Sequence, residues 1–154
     1  MKVLSLISSI LPYDTAYAHC DIPCGIYEPT PLQIAAHTVL RMSQLLGEHT
    51  QMHDVARVIR VKEDHGSTVE KELMTLKNDY FKPEHYEANP QLEKLLQEAV
   101  GLSAKTRQKV DVDLAKELVE KCLVISEIFY KTKGFEPIRI SSGFPTEGEL
   151  VSHK

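Results

Sequence analysis

From residue 30 onward the apolar side chains recur at three- and four-residue intervals, the signature of amphipathic helices. Leu32, Ala35, Val39, Met42 and Leu46 form one stripe, which stops at Gly47. It opens on Thr30-Pro31-Leu32-Gln33, a capping-box pattern with threonine at the N-cap, proline at the first helical position and glutamine at N3. A second stripe of Val58, Val61, His65, Val69, Leu73 and Leu76 predicts a helix from Asp54 to about Asn78. Gly66 weakens its middle by about 1 kcal/mol relative to alanine. After Asn89-Pro90, Leu92, Leu95, Leu96 and Ala99 share a face. A fourth helix starts near Asp111 or Asp113 and carries Leu114, Leu118, Cys122, Ile125 and Phe129. Four such helices with short connections predict an all-α fold, an antiparallel four-helix bundle over residues 30–133. No strand alternation and no internal repeat interrupt it. Beyond Gly134 the pattern ends, and the glycines and prolines of 134–154 predict a flexible C-terminal tail.

Composition narrows the function. The chain has 154 residues and a formal charge of −4, which suits one domain and leaves no basic surplus for a phosphate backbone. Nucleic-acid binding is therefore not expected. Nor is a membrane span, since no apolar run of about 18 residues occurs. Three cysteines are too few for a disulfide scaffold, yet Cys20 and Cys24 lie close together.

What precedes them reads as a removable segment. Residues 1–18 carry Lys2, a mainly apolar stretch from Val3 to Leu11, and Ala16-Tyr17-Ala18 in the small-x-small form of a cleavage site. A secretory signal and a pro-peptide both predict a cut between Ala18 and His19. The mature chain then begins His19-Cys20-Asp21-Ile22-Pro23-Cys24. Its new α-amine, the Cys20 amide nitrogen and the Cys20 thiolate stand in consecutive chelating positions. Pro23 and Gly25 let the chain double back, so that Cys24 adds a second thiolate. Such an N2S2 plane suits Ni(II) or Cu(II), with the His19 imidazole able to reach an axial position. In the uncut chain the His19 nitrogen is an amide and no donor. By spacing alone, a Cys20–Cys24 disulfide, a zinc site and another metal site all stay open.

The segment H-C-D-I-P-C-G-I-Y-E-P, residues 19–29, resembles the nickel-binding hook of nickel superoxide dismutases, usually H-C-D-x-P-C-G-x-Y-D/E-P. A second block, Asn78-Asp79-Tyr80-Phe81-Lys82-Pro83-Glu84-His85-Tyr86, resembles the family's D-Y-F-K-P-x-H-F/Y. A third, Ile128-Phe129-Tyr130-Lys131-Thr132-Lys133, resembles the end of its last helix. The resemblance implies disproportionation of superoxide by one nickel ion per subunit, held by His19, Cys20 and Cys24. It places Tyr27, Tyr80 and Asp21 in catalytic positions, the tyrosines ordering water, gating entry or relaying protons, and Asp21 with Pro23 shaping the loop. It further implies a maturation peptidase and a homohexamer with the hook at subunit contacts. Lys82 is a candidate for attracting the anion.

One departure concerns the groups behind the metal ligands. Where family members place a glutamate and an arginine at the axial imidazole, this chain has Ala35 and His65. Such partners set ring orientation and basicity, and His65 reads either as a replacement or as a core histidine. The remaining histidines, His37, His49, His53, His85 and His153, read as surface or packing residues, and Cys122 as a buried small hydrophobe. Two rival readings use the same residues: a nickel-binding or delivery protein without turnover, and an exported bundle with a Cys20–Cys24 disulfide. Unbridged thiolates and dedicated processing favour the cytoplasm, whereas the leader pattern alone permits export.

Overall fold

The apolar stripes become helices that pack through their buried faces. The computed structural model describes residues 25–154. In chain order these form α1 (Thr30–Leu45), α2 (Met52–Thr75), a π-helical turn (Leu76–Tyr80), a short α3 (Pro83–Ala88), α4 (Leu92–Gln108), α5 (Val112–Thr132), β1 (Pro137–Ser141) and β2 (Glu149–His153). The four long helices make the antiparallel bundle, with α1 against α2 and α5, and α4 against the same two. Leu32, Val39, Val69, Leu73, Leu92, Leu96, Leu118, Ile125 and Phe129 fill the space between them. Cys122 lies within this core, as its place on the stripe implies.

Helix ends are closed by named side chains. Asp111 caps α5, its carboxylate accepting from the Leu114 N–H at 3.1 Å, and that bond holds the carboxyl below its ordinary range. At the end of α4 the buried Lys62 ammonium donates to the carbonyls of Thr106, Arg107 and Lys109. A cation on these orphan carbonyls also complements the helix dipole.

The start of α1 departs from the expected capping box. Pro29 is the N-cap and no side chain caps there. The Thr30 amide and hydroxyl turn instead to Glu28 Oε1, at 3.2 and 2.7 Å. Gln33 is drawn elsewhere: its Nε2 donates to the Val151 carbonyl at 3.1 Å, and the Val151 N–H donates to its Oε1 at 2.7 Å. A strand amide buried against a helix must find partners, and Gln33 supplies both.

The expectation of a flexible tail is corrected by the same contact. Residues 137–153 form an antiparallel hairpin, in register from Pro137↔His153 to Ser141↔Glu149. Val151 is buried under it. His37 fastens the turn, with Nδ1 2.9 Å from Thr146 Oγ1 and Nε2 3.0 Å from the Glu149 carbonyl. Arg139 pairs with Glu120 at 2.7 Å and Glu127 at 2.6 Å on α5. The glycines that suggested looseness serve the turn: Gly143 and Gly148 have φ of 66° and 78°, values that favour glycine.

Gly66 on α2 also has a structural reason. A Cβ there would lie 2.6 Å from Arg107 Cγ, and Arg107 is held at 3.1 Å by both Glu63 and Glu70. Of the expected α2 stripe, Val69, Leu73 and Leu76 are buried, whereas Val58, Val61 and His65 are half-buried.

Candidate functional site

Tyr80 is the last residue of the π-helical turn. The Phe81 N–H reaches back to the Leu76 carbonyl at 2.8 Å, so the helix ends on a widened turn of the kind that recurs at functional sites. Tyr80 meets Tyr27 with ring centroids 5.4 Å apart. It also packs on Phe129 at 4.5 Å and lies nearly parallel to His85 at 5.6 Å. Gly25, Tyr27, Asp79, Tyr80, Lys82, His85 and Lys133 line a cleft of about 360 Å³ at this point.

The hydrogen bonds around Tyr80 have a definite direction. Thr132 donates its hydroxyl to the Phe129 carbonyl at 2.7 Å. A hydroxyl has one proton, so in the 2.7 Å contact between Tyr80 and Thr132 the phenol is the donor. Tyr80 therefore keeps its oxygen lone pairs as acceptors. Burial raises its phenol above the ordinary range. His85 Nδ1 accepts from the Lys82 N–H at 3.1 Å, which leaves the proton of the neutral ring on Nε2.

Just before α1, two groups hold the chain. Lys133 Nζ donates to the Tyr27 carbonyl at 3.0 Å and sits 4.7 Å above the Phe129 ring. Glu28 Oε1 accepts from Tyr130 as well as from Thr30. Burial first, and the Glu28 carboxylate after it, push the Tyr130 phenol up to about 12. Two lysines against one aspartate give the cleft a cationic rim.

Tyr27 and Tyr80, the predicted tyrosines, are brought together. His65 is not with them: it lies on α2 roughly 22 Å along the helix from Tyr80 at the usual rise. Its ring is half-buried, and Nδ1 donates to the Val61 carbonyl at 2.9 Å, which leaves Nε2 as the acceptor. Ala35 is part of the core. His19, Cys20, Asp21, Pro23 and Cys24 lie outside the described residues, as does the leader 1–18. Lys133 was not singled out from sequence and His85 was read as surface or packing. Both stand inside the blocks quoted above, and Lys133 follows Phe129 by one helical turn.

Nickel needs thiolate and nitrogen donors. Among the described residues no group of three or more His, Cys, Asp or Glu side chains is placed to hold a metal. Cys122 is sealed in the core, where burial pushes its thiol far up and away from the thiolate form. The amine, amide and thiolates of residues 19–24 do suit nickel chemically. Gly25, which follows Cys24, opens directly onto the cleft.

The family model for nickel-containing superoxide dismutase matches residues 14–133. The superoxide dismutase [Ni] of Streptomyces seoulensis is 32% identical over 116 residues, covering 75% of this chain and 88% of that protein. The Streptomyces coelicolor protein of the same name is 29% identical over 122 residues, covering 79% and 93%. A crystal structure of Ni-containing superoxide dismutase, with ligation corresponding to the oxidised state, superposes with a TM-score of 0.71. It is 31% identical, covering 75% of this chain and 99% of that one. Hook motif, Tyr80 block and last helix all fall within the matched span, and this chain accordingly belongs to the nickel-containing superoxide dismutase family.

Proposed function

We propose that this chain is the precursor of a superoxide dismutase whose site is completed when residues 1–18 are removed and the His19 amine is freed. One observation carries the reading. The residue after Cys24 lines a cation-rimmed cleft together with both family tyrosines. The His19 amine and imidazole, the Cys20 amide nitrogen and the Cys20 and Cys24 thiolates would hold one nickel ion per subunit. Bound nickel supplies one-electron cycling, by which one superoxide is oxidised to dioxygen and a second, taking up two protons, is reduced to hydrogen peroxide.

The chain's own groups do the remaining work. Lys82 and Lys133 draw a small anion towards the cleft. Tyr80, whose proton is committed to Thr132, accepts from water and orders it, and a neutral phenol adds no repelling charge. Tyr27 narrows the entrance beside it. Asp21 and Pro23 shape the hook. Gly25 lines the cleft at Tyr80, far along α2 from His65, so in this reading His65 would partner the His19 imidazole only from a neighbouring subunit. A homohexamer with hooks at its subunit contacts supplies that neighbour. Reduced cysteines and processing by a maturation peptidase place the protein in the cytoplasm in this reading.

The test compares the chain beginning at His19 with the chain retaining residues 1–18. Mass spectrometry, nickel content, light scattering and superoxide turnover are measured on each. The reading expects one nickel per subunit, six subunits and turnover in the cut chain alone. Equal turnover with the leader attached overturns it. Nickel without turnover identifies a delivery protein; no metal and a mass lower by two protons identifies a disulfide.

A further inference from the structure

The C-terminal hairpin lies beyond the family match, which ends at residue 133. Solved relatives covered to 99% of their own length align with only 75% of this chain. The extra segment nevertheless reaches towards the hook. His153, on β2, lies against Tyr130 with ring centroids 4.8 Å apart. Phe135 stacks on His153 at 4.3 Å and 17°. Tyr130 is the residue whose hydroxyl donates to Glu28 Oε1, and Glu28 is part of the motif that begins at His19. The hairpin is anchored independently of this contact: Gln33 grips Val151 from both sides, and the Lys154 N–H closes on the Glu136 carbonyl at 3.0 Å.

We infer that the C-terminal hairpin is a brace for the metal-binding hook: His153, backed by Phe135, roofs the Tyr130 ring, whose hydroxyl donates to Glu28, and that bond fixes the chain where it leaves the hook. The inference rests on the functional reading above only in taking nickel as the ligand. Glu28 is exposed, so water competes for its carboxylate, and the bond holds best when the donor is fixed in place; Tyr130 is buried, and the His153 ring packed on it restrains that donor. A chain held at its exit loses less freedom when the chelate closes, so the brace appears as affinity. Tyr130 and His153 are thus positioning residues and touch neither metal nor substrate.

The experiment uses the full-length chain cut at His19, with His153→Ala, Tyr130→Phe and the double variant. Phe135→Leu is a second probe of the roof. Circular dichroism checks the fold, chelator competition gives the nickel Kd, and ultraviolet titration follows the tyrosines. Each single variant raises the nickel Kd about three- to tenfold, the size of one aromatic contact or one hydrogen bond. The double variant is no weaker than Tyr130→Phe, since His153 acts through Tyr130. In His153→Ala the highest tyrosine titration falls, because less of the Tyr130 ring is buried. Additive losses, or a folded His153→Ala chain with unchanged Kd and unchanged titration, overturn the brace. Should the unaltered chain bind no nickel, the functional reading fails, while the titration still decides the brace.

Discussion

Replacing Thr132 by valine keeps the shape of the side chain and removes the acceptor for the Tyr80 proton. Superoxide turnover in Thr132→Val should drop about fivefold, as losing one hydrogen bond of about 1 kcal/mol would give. Thr132→Ser should restore it, and a serine variant as slow as valine would sink the assignment. Tyr130 makes a second prediction. Its folded value of about 12 stands above the ordinary 10.0, so the folded chain keeps this proton longer than the unfolded one. The associated stability is present below about pH 10 and is lost as pH rises towards about 12. Urea unfolding across that window should show the loss, and Tyr130→Phe should flatten it. Tyr27 and Tyr80 were legible in the sequence because they stand in recognisable blocks. Thr132 was not, since its role depends on a bond spanning 52 positions in the chain.

The four long helices were legible because each buries one stripe, and a period near 3.6 is visible without knowing the partner. The π-helical turn was not, because a single five-residue step leaves no repeat. The hairpin was hidden for a related reason: β1 and β2 rest on α5, and the side chain that satisfies the buried Val151 comes from α1, far away in sequence. Gln33 could be read as a cap but not as a strand partner. Gln33→Leu should cost about 2 kcal/mol in urea unfolding, because it leaves the Val151 N–H and carbonyl buried without partners. Gly66→Ala tests the opposite sort of error. Propensity alone favours alanine by about 1 kcal/mol, but a methyl group 2.6 Å from Arg107 Cγ must displace a side chain tied to Glu63 and Glu70. A net loss of about 1 kcal/mol is expected, and a more stable alanine variant would refute the close approach.

Superoxide, an anion, approaches a chain whose formal charge is −4. Lys82 and Lys133 at the cleft supply an attraction that the molecule as a whole lacks. Changing both to glutamine should lower kcat/KM up to about tenfold at low salt and flatten its dependence on ionic strength. A salt profile like that of the unaltered enzyme would show that the lysines do not steer. The grip of Gln33 on Val151 has one more outcome, which concerns the order of events during synthesis. Gln33 is made well before Val151, so their bond, and the cover that His153 gives Tyr130, can form only after all the helices have been made. The helices can begin to assemble as they emerge, but the support around Glu28 comes after them. A newborn chain therefore gains its hold on Glu28 later than its helical core.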